Sequence, residues 1–234
     1  MQALSTDRSL TGQLVLFRPR LSPAAVDVHA VSIPAKSFTG DFYFTHRRGE
    51  ELWFALGDVA GKGINAAVVM AMIQEELEQR IGSCARTGCD PAATMTRLHE
   101  FLRPVLPRNK FATAVIGHLH DNGTLTIANA GHCPPLIVRR SGDVEEIEST
   151  GPVAGILQSA RWHSRTMTLA RGESLVLYSD GLAEARNTND DEFGTPGIRA
   201  AASGESAREI AERILDAARA YGREDDLTLV VLRR

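Results

Sequence analysis

Cysteine, aromatic side chains and long apolar runs are all scarce in this chain, and it has no concentrated basic block. Each shortage excludes something. Three cysteines in 234 residues, Cys84, Cys89 and Cys133, cannot all pair within one chain, which points to a reducing, cytoplasmic setting. The first residues lack the charged segment and long apolar stretch of a secretory leader. Even "AAVVMAMI", from Ala66 to Ile73, soon meets Gln74, Glu75 and Glu76, well short of the roughly 20 apolar residues that span a bilayer. A net charge of -3 and an isoelectric point near 6.2 argue against nucleic acid as a partner, because displacing counterions from phosphates needs a basic face. There is no G-x-S-x-G, hence no nucleophile-elbow serine hydrolase. No internal repeat, low-complexity tract or Pro/Gly/Ser linker divides the chain, so one domain is expected.

What is present is a series of strands with long helices between them. Val26 to Ile33 alternates sides as a half-buried strand does, whereas "ELWFALGDV", Glu51 to Val59, is nearly continuous in apolar residues and reads as buried on both faces. From Ile64 to Ile81 the residues Ile64, Ala67, Val68, Ala71, Met72, Glu75 and Glu78 keep helical spacing. Asp90 before Pro91 is a cap and first-turn pair for a second helix carrying Met95, Leu98, Phe101 and Leu102. "FATAVIGHL" and "TLTIANAGH" flank Asp121-Asn122-Gly123, a hairpin turn. "PLIVRR" and "VEEIES" follow around Ser141-Gly142-Asp143, so the middle of the chain reads as an antiparallel meander. "RNTNDDEFGTPG", Arg186 to Gly197, reads as a loop and a candidate mobile flap. Ser206 and Glu209 form a capping box before Ile210, Ile214 and Leu215, and "DLTLVVLRR" is the last strand. The class is α+β, helices over antiparallel sheet.

Acidic residues recur at the ends of these elements: Asp41 in "FTGDFYF", Asp58 and Asp180 closing buried strands, and Asp225 and Asp226 opening the last one. Carboxylates gathered in one place repel, and their pKa values rise unless a cation neutralises them. Hard oxygen ligands suit Mg²⁺ or Mn²⁺ rather than Zn²⁺. The alternative is that each Asp is only a turn or cap residue. Cys84, Cys89 and His99 fit no common zinc spacing, and "GDVAGKG" is a residue short of a phosphate-binding P-loop and lacks its Ser or Thr. His118 and His120 share one face of a strand and read as surface histidines.

Taken in order, "TGDFYF", "GDVAGKG", "NAGHCPPLIV", "LVLYSDGLAEARN" and "EDDLTLVV" resemble the motif set of the metal-dependent serine/threonine protein phosphatases, the PPM family, and most of all its bacterial SpoIIE/RsbU-like branch. The resemblance runs from about Gln13 to the C-terminus, leaving residues 1–12 as a tail and 13–234 as one phosphatase domain. It implies two packed antiparallel sheets flanked by helices and a site for two Mn²⁺ or Mg²⁺ ions. By motif, Asp58 bridges the two ions and the Val59 carbonyl helps hold one; Asp180 and Asp225 bind the other, and Asp41 acts mostly through metal-bound water. Asp225 rather than Asp226 is the implied ligand, with Asp226 left to solvent or to capping the turn. Two cations roughly 3.5–4 Å apart acidify a shared water, which attacks phosphorus in line without a phosphoenzyme.

Several positions depart from the family pattern. Ala60 stands where eukaryotic members carry a His, which leaves protonation of the leaving alcohol to metal-bound water. His132 stands where many relatives place an Asp for a third metal, so a third ion is in doubt; His132 and Lys62 become candidates for substrate contact. Thr39 and Phe44 replace a Gly and an Asp of "GGDFYD"; Phe44 is expected to pack, and losing an acid beside the site would weaken metal binding. Relatives in this branch dephosphorylate STAS-domain anti-anti-sigma proteins in partner-switching pathways. With only about 12 residues ahead of the match, control would fall to a separate activator protein, to homodimerisation or to substrate supply. The rival reading is a phosphatase-fold binding module that docks a partner without turning it over.

Overall fold

A computed structural model of the protein describes residues 26–35, 38–61, 63–83, 89–222 and 225–234. In chain order the strands are β1 (Asp27–Ile33), β2 (Asp41–Arg48), β3 (Glu51–Val59), β4 (Ala112–His120), β5 (Thr124–Ala130), β6 (Leu136–Val138), β7 (Val144–Glu146), β8 (Arg165–Thr168), β9 (Ser174–Tyr178) and β10 (Leu227–Arg233). The helices are α1 (Ile64–Ser83), α2 (Pro91–Val105), α3 (Asp180–Ala183), α4 (Gly194–Ala201) and α5 (Ala207–Ala218). The strands form two antiparallel five-stranded sheets, one ordered β1-β10-β9-β6-β7 and the other β2-β3-β4-β5-β8. The α+β architecture with two sheets is thus as expected.

Pleat alternation explains why β3 has almost no polar residue. Leu52, Phe54 and Leu56 enter the core between the sheets, while Trp53, Ala55 and Val59 join a second apolar layer beneath α1 and α2. On the other sheet, Leu175, Leu177, Val230 and Leu232 face inward. Val176, Tyr178, Leu229 and Val231 face outward against Ile198 of α4 and Ile210 and Ile214 of α5. Helix, sheet, sheet and helix are therefore joined by three apolar layers, in which each fully buried large side chain contributes about 1.5–3 kcal/mol.

Local signals set the helix starts. The Asp90 carboxylate accepts from the Ala93 amide at 3.0 Å, and Ser206 Oγ accepts from the Glu209 amide at 3.1 Å. The Glu209 carboxylate turns back to the Glu205 amide, one residue earlier than a capping box requires. In α1 the buried stripe is Ala66, Ile73, Leu77 and Ile81, whereas Ile64 and Val68 are 60% and 53% exposed, so the inward face is not the one that the apolar count suggests.

Three expectations need correction. The middle of the chain is not one meander: β4 and β5 lie in one sheet and β6 and β7 in the other, the chain crossing over through Gly131 and Pro134-Pro135. Residues 186–197 are not a free flap. Arg186 pairs with Glu192, Asn187 Oδ1 accepts from the amides of Asn189 and Asp191, Phe193 is buried, and Gly194 opens α4. His118 is not a surface histidine, since its ring lies 4.8 Å from that of Trp53 and burial lowers its pKa. The boundary at residue 12 lies outside the described residues, as does Cys84. Among the described residues no helix is long and apolar enough to cross a membrane.

Candidate metal centre

The inner faces of both sheets are apolar for most of their length and become polar at one end. Asp58 lies two residues beyond Leu56 and so shares its inward face. Its register partners are Asp41 on β2 and Thr113 on β4. Directly opposed residues of antiparallel strands point to the same side, so Asp41, Asp58 and Thr113 form a row across the sheet. The facing sheet supplies Ser32, Ser179 and Thr228. Ser32 Oγ is 3.1 Å from Thr228 Oγ1, and Ser179 Oγ accepts from the Thr228 amide at 2.8 Å.

Asp180 follows Ser179 directly, because the Ser179 amide makes the last bond to the β10 strand, donating to the Thr228 carbonyl at 2.9 Å before the chain turns into α3. At this turn Gly181 passes the backbone of Asp225 and Asp226 so closely that a Cβ would lie 2.0 Å from the Asp226 carbonyl oxygen. Gly40 does the same on the other sheet. A Cβ there would stand 2.7 Å from Asp58 Oδ1 and 3.0 Å from the Val59 carbonyl oxygen, so a missing side chain leaves room for both candidate ligand atoms. The result is an open cleft of about 190 Å³ lined by Asp41, Asp58, Gly61, Asp180, Asp225 and Asp226.

Burial, opposed by the hydroxyls of Thr228 and Ser179 and assisted by the charges of Asp58 and Asp180, pushes the Asp41 carboxyl up to about 8. Asp58 is pushed up to about 7, first by burial and then by Asp180 and Asp225. Asp41 is 4% exposed, and its Oδ2 has no hydrogen-bond partner among the described residues. A buried, unpartnered carboxylate oxygen in a ring of like charge is what a bound cation would satisfy. The donor set is all oxygen, which fits Mg²⁺ or Mn²⁺. Among the described residues no three His, Cys, Asp or Glu side chains already close around a single point as ligands would.

Asp41, Asp58, Asp180 and Asp225 therefore meet at one cleft, and the Val59 carbonyl lies with Asp58 Oδ1 beside Gly40. Lys62 lies outside the described residues. His132 does not line the cleft; it is 7% exposed, and its Nδ1 lies 2.9 Å from Thr113 Oγ1. Phe44 sits on the outward face of β2 with the α1 and α2 layer, so an acid at that position would point away from the cleft. Its loss is no loss to the site. Asp226 is not left to solvent or to capping its own turn, as expected, but reaches across to the segment before β2. Its Oδ1 accepts from the Ala35 amide at 2.8 Å and its Oδ2 from the Gly40 amide at 3.2 Å, tying down the segment that leads to Asp41. Thr39 Oγ1 then accepts from the Asp41 amide at 3.0 Å. Asp226 and the two close-approach glycines carry no signal beyond their neighbourhood in the motifs.

The family model described as Stage II sporulation protein E (SpoIIE) matches residues 48–234. The chain is 31% identical over 218 residues to the phosphoserine phosphatase RsbU of Bacillus subtilis, covering 90% of this chain and 64% of that protein. It thus spans a little under two thirds of that relative's length. The solved SiaA-PP2C domain of Pseudomonas aeruginosa superposes with a TM-score of 0.77 at 20% identity, covering 88% of this chain and 85% of that one. The RsbU and RsbW domains of a Mycobacterium tuberculosis protein give 0.73 at 24% identity, covering 91% and 61%. Carrying its acids on the ends of two packed antiparallel sheets, as its motif order implies, the chain belongs to the metal-dependent serine/threonine protein phosphatase family, in its SpoIIE/RsbU-like branch.

Proposed function

We propose that the protein is a Mn²⁺- or Mg²⁺-dependent phosphatase that hydrolyses phosphoserine or phosphothreonine on a protein, and that the substrate is a STAS-domain regulator of a partner-switching pathway in the cytoplasm. The observation that carries this reading is the convergence of Asp41, Asp58, Asp180 and Asp225 on one cleft, with Asp41 and Asp58 titrating far above ordinary carboxylates. Relatives named phosphoserine phosphatases support the substrate class.

Asp58, the Val59 carbonyl, Asp180 and Asp225 are the groups that would hold the ions. When bound, such ions acidify and orient a water for in-line attack and neutralise charge on the phosphoryl oxygens. Asp41, the deepest of the acids, orients water at the inner wall through its buried Oδ2. Asp226 holds the Asp41 segment in place through the Ala35 and Gly40 amides, which is its proposed role. A third ion is not part of the proposal, because His132 does not line the cleft and its Nδ1 is engaged with Thr113 Oγ1.

The test is Mn²⁺-dependent phosphate release from p-nitrophenyl phosphate and from phosphorylated STAS-domain proteins. Asp58→Asn and Asp180→Asn should each lower turnover about a thousandfold, as loss of several kcal/mol of charge stabilisation implies. Tight binding of the phosphoprotein with no turnover at any Mn²⁺ concentration would overturn the reading in favour of a docking module.

A further inference from the structure

His132 is a buried polar side chain that the proposed chemistry leaves unused. Its backbone is clamped: the amide donates to Asn129 Oδ1 at 2.8 Å, and its carbonyl accepts from Asn129 Nδ2 at 3.1 Å. Asn129 is itself fully buried and is held by Thr150, whose Oγ1 accepts from the Asn129 amide at 2.9 Å. Burial of the ring and its bond to Thr113 then leave it little freedom to turn. Burial holds its pKa down at about 4, so the imidazole is neutral at physiological pH, with one nitrogen donating and the other accepting.

Its two nitrogens look toward different sheets. Nδ1 is 2.9 Å from Thr113 Oγ1, on the strand next to Asp58. Nε2 is buried without a partner in hydrogen-bonding geometry, and the nearby Tyr178 carbonyl of β9 favours a proton on the ring. A proton on Nε2 makes Nδ1 the acceptor and the Thr113 hydroxyl the donor. The hydroxyl hydrogen is then committed to the ring, on a residue that stands in register beside Asp58. Tyr178 is two residues before Asp180. The ring thus stands between the strand beside one candidate ligand and the strand that delivers another.

We propose that the Thr113–His132 pair is a positioning element of the candidate metal centre, a buried spacer that orients the Thr113 hydroxyl beside Asp58 and sets the separation of the acids on the two sheets. This rests on the proposed function, since the pair acts through the ligands and touches no substrate. Thr113 and His132 work as one unit, so removing either loses the same effect.

The experiment is a Mn²⁺ titration followed by electron paramagnetic resonance of the free ion, alongside p-nitrophenyl phosphate turnover and thermal melting in chelator, on the full chain. Thr113→Val, which keeps the shape and removes the hydroxyl, should weaken Mn²⁺ binding about tenfold, measured at a temperature where the variant is fully folded. By leaving His132 Nδ1 unpaired it should also lower the chelated melting temperature. Thr113→Ser should restore binding to within about twofold. His132→Leu should match Thr113→Val, and the double variant should be no worse than either alone. Should His132→Leu not fold, the valine and serine pair carries the test. Wild-type Mn²⁺ binding that is unchanged in Thr113→Val overturns the positioning role and leaves the phosphatase reading intact. A wild-type protein that neither binds Mn²⁺ nor releases phosphate overturns both.

Discussion

Replacing Gly181 by alanine tests whether the close passage of α3 against the start of β10 builds the cleft. The added Cβ would lie 2.0 Å from the Asp226 carbonyl oxygen, 2.9 Å from its carbon and 3.2 Å from the carbonyl carbon of Asp225. All three are backbone atoms, so no rotamer change relieves the contact. Ordinary van der Waals separation requires the oxygen to retreat by roughly 1.5 Å. That oxygen accepts from Ser179 Oγ at 3.2 Å, and Asp225 and Asp180 ride on the two segments being forced apart. Overpacking of this kind costs about 1–3 kcal/mol and the lost hydrogen bond about 1 kcal/mol more. A displacement near 1 Å at a reacting centre lowers rate on the order of 100-fold. Gly181→Ala should therefore lose about 2–4 kcal/mol in urea denaturation, with turnover down on the order of 100-fold and Mn²⁺ binding weakened. Gly82→Ala in the last turn of α1, where a Cβ meets nothing within 4 Å, is the control and should be neutral or slightly stabilising. Retention of wild-type Mn²⁺ affinity and turnover by Gly181→Ala would refute the reasoning.

Two further outcomes are expected. Asp41 and Asp58, raised to about 8 and about 7 from 3.8, bind more protons folded than unfolded, so the chelated protein should be most stable near pH 4 and lose stability as pH rises toward 8. Saturating Mn²⁺ should flatten that loss, and Asp58→Asn should raise the chelated melting temperature most at the alkaline end; a chelated melting temperature that climbs from pH 5 to 8 contradicts the electrostatic picture. Asp226→Ala removes the acceptor for the Ala35 and Gly40 amides and should cost about 2 kcal/mol in urea denaturation, with Asp226→Asn losing about half as much. Equal stability of wild type and both variants would show that the clamp holds nothing.

The strands were readable where local chemistry decides them. β3 runs over the same nine residues that its apolar run marks, and Asp90 and Ser206 cap the helices that they precede. The candidate ligands were readable only through the order of several motifs, because one Asp at a strand end is also an ordinary turn residue. What stayed hidden is long-range. The period of two tells which side of a strand a residue occupies, but not which sheet the strand joins, so β6 and β7 could not be separated from β4 and β5. Gly194, Thr195 and Pro196 have the composition of a loop, yet burial of Phe193 and Ile198 against α5 makes the segment a helix. His132 reads as a residue beside the site because its sequence neighbours belong to the motif. The Asn129 clamp that turns it inward depends on a contact visible only in the fold.

The strand order β1-β10-β9 has a consequence for how the chain must be assembled during translation. While β10 is still inside the ribosome, β1 and β9 flank an empty slot with two raw hydrogen-bonding borders facing each other. An unfilled slot of that kind invites a strand from a neighbouring nascent chain. The segment that leads into β10 also carries Asp225 to the cleft, so the strand that fills the slot is the one that completes the ring of acids.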